Sequence, residues 1–150
     1  MPQSLAPVYI HLVFSTKRRR PFLVKAVRPS LHAYIGAVLK NMACTPVSIN
    51  SVEDHIHILF RLSRTMALSK VVENVKKSSS KWIKTQHPVF FQFSWQRGYG
   101  AFSVSAAHLD RVRAYIARQE VHHAKRSFKQ EFRFFLRAYE TSFDERYVWD

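Results

Sequence analysis

The run Asp54-His-Ile-His-Ile-Leu-Phe60 constrains this chain more than any other stretch. On a strand, successive side chains point to opposite faces. Ile56, Ile58 and Phe60 then share one face, and His55, His57 and Leu59 share the other. The isoleucine face must pack against helices. The histidine face is expected outward or in a cleft, where two parallel imidazoles can hold a cation. Such a strand belongs in a sheet with one greasy face, not in a helical bundle.

The flanking periodicities extend this argument. Val8 to Phe14 alternates and is β-rich, so it predicts a first strand. The run Lys17-Arg18-Arg19-Arg20 and Pro21 form the loop after it. Pro29 suits the first turn of a helix reaching about Met42, with Leu31, Ile35, Val38 and Leu39 as its stripe. Pro46 to Ser51 and His55 to Leu62 read as two strands joined by a tight Glu53-Asp54 turn. Ser63 or Thr65 is the expected cap of a helix from about Met66 to Thr85. Its stripe is Leu68, Val71, Val72, Val75, Ser79 and Trp82. Val89 to Trp95 and Ala101 to Ser105 are expected to be extended. One helix should run from Ser105 or Ala106 to about Lys125, and a short one from Phe128 to Ala138. The order β-α-β-β-α-β-α is that of an α+β, ferredoxin-like split βαβ sandwich: an antiparallel sheet with helices on one face and an appended C-terminal helix.

With 150 residues this is a single domain, 1–150, with an acidic tail from about 139. No apolar run reaches the roughly 18 residues of a membrane span. Residues 1–7 lack the pattern of a signal peptide. The single Cys44 excludes an internal disulfide, and the expected compartment is the cytoplasm. The formal net charge is +14, with no acidic residue before Glu53 and none between Asn74 and Leu109. A field of that sign attracts polyanions, so nucleic acid is the expected partner. Lys77, Lys81 and Lys84 share one helix face and, with Lys17 to Arg20, suit backbone phosphates. Phe90, Phe91, Phe93, Trp95 and Tyr99 could stack bases, but most are expected in the core or an interface.

The second informative stretch is Tyr115-Ile-Ala-Arg-Gln119. Residues four apart on a helix are neighbours. Leu109, Val112, Ile116 and His123 are expected on the apolar side. Tyr115, Gln119, His122, Arg111 and His108 are expected on a polar, basic one. A tyrosine placed there could attack a phosphodiester, conserving the bond energy in a phosphotyrosine. Arg111, Arg118 and a cation would favour its phenolate. Imidazoles suit ions such as Mn²⁺, and the ion would polarise the scissile phosphate. Gln119 offers a third ligand. Asp54 either orients an imidazole or makes the turn. His11 is unassigned, His122 could contact phosphate, and His123 is expected to be packed.

Together these residues resemble a family. His55-Ile-His57 is similar to the HUH signature, histidine-hydrophobic-histidine. With His11-Leu-Val-Phe-Ser-Thr-Lys17, Trp95-Gln-Arg-Gly-Tyr-Gly100, Tyr115 to His123 and the ending Asp144 to Asp150, the chain resembles the single-tyrosine transposases of small bacterial and archaeal insertion sequences. The resemblance implies an RRM-like fold and a divalent metal, Mg²⁺ or Mn²⁺. It implies a homodimer whose sites join the histidine pair of one subunit to the tyrosine of the other. The implied substrate is single-stranded DNA with hairpins, cut to leave a 5′-phosphotyrosine and a free 3′-hydroxyl. Tyr115 matches the nucleophile, His55 and His57 the metal pair, and Gln119 the glutamine ligand. DNA-binding positions are expected at Lys17, Arg18, Arg19, Arg20, Lys77, Lys81, Lys84, Arg111, Arg118 and His122, and the protein is expected beside the nucleoid. Two alternatives stay open: a non-catalytic RRM-like binding module, and a domesticated relative that binds and nicks repeated hairpins.

Overall fold

The computed structural model describes residues 2–150. Four strands form one antiparallel sheet in the order β2-β3-β1-β4. They are β1 (Tyr9–Ser15), β2 (Thr45–Ser51), β3 (His55–Arg61) and β4 (Gly100–Val104). This is the split βαβ order expected from the sequence. β1 and β3 sit in the middle and are buried almost throughout. β2 is one of the two edge strands, half-buried, and it carries Pro46 at a register shift, where a missing N–H costs least.

Two helices, α1 (Arg28–Asn41) and α2 (Leu68–Ile83), cover one face of the sheet. Ile10, Leu12 and Phe14 of β1 and Ile56, Ile58 and Phe60 of β3 meet Leu31, Ile35, Leu39, Val71, Val72 and Val75 there. Three further helices, α3 (Leu109–Ala117), α4 (Gln119–Lys125) and α5 (Phe128–Ala138), lie over the opposite face. Both faces are therefore covered, which explains why alternate positions of β1 and β3 are equally buried.

Several elements differ from the sequence reading. Neither Ser63 nor Thr65 caps α2: their hydroxyls bond to each other, and the cap position is Ala67 with no side-chain bond. Residues 89–95 do not form a strand. Pro88–Phe90 is a 3-10 turn, and only Trp95 bridges to Thr16. Phe90, Phe93 and Trp95 anchor this loop in the core, while Phe91 and Tyr99 are exposed. Trp95 donates to Ser79 Oγ at 2.9 Å, so the serine in the α2 stripe has a buried partner. Trp82 is half-buried at the margin of that core, packing against it while its ring stacks on Tyr34.

The long helix expected from 105 to 125 breaks at Arg118, with φ −104 and ψ 28. Asn50 of β2 donates its Nδ2 to the Ile116 carbonyl at 2.8 Å. That partner satisfies a carbonyl the helix would otherwise use for its own ladder. At the other end, Ser127 and Gln130 form a reciprocal capping box that starts α5. α5 packs so closely on the start of β4 that a Cβ at Gly100 would clash with the Phe132 ring. Among the described residues no helix is long and apolar enough to cross a membrane.

Candidate active site

The histidine face of β3 is neither outward nor open. His55, His57 and Gln119 are 1%, 0% and 0% exposed, roofed by α4 and α5. The reason lies in α5. Its stripe of Phe128, Phe132 and Leu136 needs an apolar floor and finds it on Val13 and Phe102, beside the histidines. Phe128 stacks on His55 at 5.0 Å between ring centroids, and Phe135 edges onto His11.

Each imidazole is held from behind. His55 donates Nδ1–H to Asp54 Oδ1 at 2.7 Å, leaving Nε2 toward the site. Asp54 thus orients the ring from within the turn between β2 and β3, and its carbonyl accepts from Thr16 N–H just past β1. His57 Nδ1 lies 2.8 Å from His11 Nε2, which gives His11 a place in the network. With a cation on His57 Nε2, Nδ1 must carry the proton and donate it to His11. Burial, and then the neighbouring His57, press His11 down to about 3, so it stays neutral and able to accept.

Three ligand candidates from the sequence converge within this one chain. His55 Nε2 lies 3.3 Å from Gln119 Oε1, and the His55 and His57 rings are 5.2 Å apart. A fourth group, Glu131 of α5, was not foreseen. Its Oε1 lies 2.6 Å from His57 Nε2 and 3.4 Å from His55 Nε2. Its Oε2 accepts the Tyr115 hydroxyl proton at 2.6 Å. A carboxylate amid the apolar stripe of α5 was the available signal, since position 131 falls between Phe128 and Phe132 on the buried side.

The electrostatics follow from these contacts. Burial opposes charge on His55, but the Asp54 and Glu131 carboxylates overcome it and hold its pKa up at about 9. Burial prevails at His57 and lowers it, despite Glu131. Burial would raise Glu131, yet its bonds to His55 and His57 hold it well below the usual carboxylate range.

Tyr115 departs from the sequence picture. It is half-buried and packs with Leu59, Val104 and Ile116 instead of standing on an open basic face. Burial first, and the Glu131 charge second, push its phenol far above the ordinary value. Without a cation, the site therefore disfavours the phenolate. Gln119 and the positive charge of Arg126 pull the other way. Arg126 takes the part expected of Arg111 and Arg118, which are exposed on α3 and at its end. His122 stacks on Tyr115 at 4.2 Å. His123 bonds to Glu53 at 2.7 Å and edges onto His55, so it is tied to the site by a charge and not by apolar packing.

The basic residues divide into two groups. Lys17, Arg18 and Arg19 form a turn just after Ser15, which pairs with His55, and Arg20 follows. Lys17, Arg18 and Arg19 line a cleft with Arg97 and Trp149. Lys77, Lys81 and Lys84 are exposed on α2, across the sheet from Tyr115. Their neighbour Lys76 instead donates to the Arg97 and Gly98 carbonyls and fixes that loop.

The donor set fits a divalent cation. His55, His57 and Glu131 bring ligand atoms that all lie within 4.8 Å of one another. Gln119 turns its Oε1, the atom that could bind a cation, to within 3.3 Å of His55 Nε2, while its Nε2 is buried without a hydrogen-bond partner.

Comparison with known proteins agrees with this geometry. The family profile described as "Transposase IS200 like" matches residues 4–119, which include the histidine pair, Tyr115 and Gln119. No curated protein matches. A candidate transposase from Deinococcus radiodurans R1 superimposes with a TM-score of 0.62 at 20% identity, over 79% of this chain and 98% of that one. A REP-associated tyrosine transposase bound to a REP hairpin does so with a TM-score of 0.62 at 14% identity, over 82% and 72%. At those identities the two structures establish the fold. The family match spans more than half of the chain, and this protein belongs to the IS200-like transposases, enzymes that transfer DNA strands.

Proposed function

We propose that this transposase cuts and rejoins single-stranded DNA through Tyr115, with a divalent cation held by His55, His57 and Gln119. The observation that carries the proposal is the meeting of Tyr115, both imidazoles and Gln119 in one buried cluster. Tyr115 Oη attacks phosphorus, an O–P bond forms, and the bond to the 3′-oxygen breaks. The phenol proton has an acceptor at Glu131 Oε2. The products are a 5′-phosphotyrosine and a 3′-hydroxyl, and attack by a 3′-hydroxyl on the phosphotyrosine rejoins a strand. A bound Mg²⁺ or Mn²⁺ would polarise the scissile phosphate and offset charge on the leaving oxygen. Asp54 and His11 fix the two rings at their far nitrogens. We assign phosphate contacts to Arg126, His122 and the Lys17 to Arg19 turn, which lie near Tyr115 or just past the end of β1 beside His55. Hairpin recognition is supported by the family and by the hairpin carried by the REP-associated relative.

The proposal includes a homodimer with sites shared between subunits, a feature taken from the family resemblance. Within one chain Tyr115 already sits beside its own histidines, 6.0 Å from the His57 ring. Sharing would require α3 and α4 to leave their own sheet for a partner's, with the chain giving way on both sides of them, between β4 and α3 and between α4 and α5.

Incubation with a hairpin-bearing single strand tests the reading. Wild-type protein should form a covalent adduct that needs Mg²⁺ or Mn²⁺, and Tyr115→Phe should bind the strand but form none. An adduct of normal yield from Tyr115→Phe removes the nucleophile. Mixing Tyr115→Phe with His55→Ala/His57→Ala subunits should restore adduct if sites are shared. No recovery in verified heterodimers would leave the site within one chain.

A further inference from the structure

The match to the family ends at Gln119, twelve residues before Glu131, the group that meets both imidazoles and Tyr115. We propose that Glu131 is itself a ligand of the cation, bound through Oε1 while Oε2 holds the Tyr115 hydroxyl. This rests on the reading of the cluster as a metal centre.

The spacing supports it. Ligand atoms a right angle apart around an ion at about 2.1 Å stand about 3.0 Å from one another. Glu131 Oε1 lies 2.6 Å from His57 Nε2 and 3.4 Å from His55 Nε2, and His55 Nε2 lies 3.3 Å from Gln119 Oε1. Separations of this size would let these groups share one ion. The shortest is a hydrogen bond, which an ion entering in place of the proton would lengthen by a few tenths of an ångström. Glu131 is 2% exposed, so its carboxylate has given up water for these partners.

The chemistry supports it as well. Two imidazoles and an amide are neutral, and they leave the charge of a divalent ion uncompensated. One carboxylate cancels half of it and supplies the hard anionic oxygen that Mg²⁺ and Mn²⁺ prefer. The amide of Gln119 brings its Oε1 to within 3.3 Å of His55 Nε2, on the same cluster. α5 then becomes part of the metal site as well as its roof. One side chain ties the ion to the nucleophile, so the ion and Tyr115 are placed together.

The test is Mn²⁺ binding by the full-length protein, followed by calorimetry and by the loss of the free-ion paramagnetic signal. Glu131→Gln should bind at least about tenfold more weakly than wild type, and Glu131→Asp should fall between them. Circular dichroism checks that each variant is folded. Infrared difference spectra of wild-type protein, with and without Mg²⁺, need no variant. A carboxylate band should shift on binding in the wild type. Glu131→Gln with wild-type affinity, while His57→Ala binds nothing, would overturn Glu131 as ligand and leave the metal centre standing. An unshifted carboxylate band in metal-loaded wild type would do the same. Failure of the wild type to bind Mn²⁺ would remove both.

Discussion

The two faces of the sheet are built from alternate residues of the same two strands, yet they are held by different forces. On one face Ile10, Leu12, Phe14, Ile56, Ile58 and Phe60 meet α1 and α2 mainly through apolar packing. On the other, His11, His55 and His57 meet α3, α4 and α5 through hydrogen bonds running Asp54–His55–Gln119 and His11–His57–Glu131–Tyr115. Apolar packing is indifferent to proton and metal. A buried polar network is not, because each member needs its partner in one protonation state. One strand thus carries stability on its even-numbered residues and chemistry on its odd-numbered ones.

The largest stability effect should come from the apolar face. Leu12 is fully buried at the centre of that layer. Leu12→Ala should destabilise the protein by about 3 kcal/mol, seen as a lower urea midpoint. The adduct yield of the molecules that stay folded should be unchanged. A loss of adduct beyond the unfolded fraction would show that the faces are not separable.

The histidine face should reveal itself through pH. His55 is held at about 9 against an unfolded 6.5, so its stabilisation is fully present below 6.5 and is lost as pH rises through 9. Lys76, depressed by burial to about 8, acts in the opposite sense above that pH, so the clean window is 6.5 to 8. Chelator-treated protein should lose about 1–2 kcal/mol across it. His55→Ala should remove the slope, and Leu12→Ala should keep it. A flat profile in wild type would mean that His55 is not the charged partner of Asp54 and Glu131.

The smallest effect separates the two basic groups. Each phosphate contact on a single strand contributes about 0.7 to the slope of log K against log salt. Replacing Lys17, Arg18 and Arg19 by Ala should flatten the slope by about 2, because that turn abuts His55. Replacing Lys77, Lys81 and Lys84 should flatten it less, because α2 lies across the sheet. Equal flattening would mean that the strand wraps both faces.

The sequence displayed these faces unequally. The isoleucine face was legible because a strand with period-2 hydrophobicity, between two helices of regular stripe, has one way to bury itself. The sheet order followed from element order. The position of the histidines in space did not, since it depends on three helices folding back over them. Nothing local marks the break at Arg118, because the carbonyl it frees, that of Ile116, is satisfied by Asn50, 66 residues before Ile116. Tyr115 looked solvent-facing on a helical projection because its neighbours Arg111 and Arg118 are basic. Its true surroundings are set by Phe135 and Glu131 of another helix. Residues 89–95 had the composition of a strand, but with Pro88 ahead of them they spend their aromatic side chains as anchors of a loop.

The separation of the two faces is tested most directly at neighbouring residues of β3. The measurement is covalent adduct formed per folded molecule on a hairpin-bearing single strand with Mn²⁺, for His57→Ala and Ile58→Val. Ile58→Val should melt lower, by about 1 kcal/mol, and give wild-type adduct. His57→Ala should stay folded and lose adduct by at least about a hundredfold, the several kcal/mol that a displaced cation would cost. Full adduct from His57→Ala, or its loss in Ile58→Val, would contradict the assignment of chemistry to the histidine face.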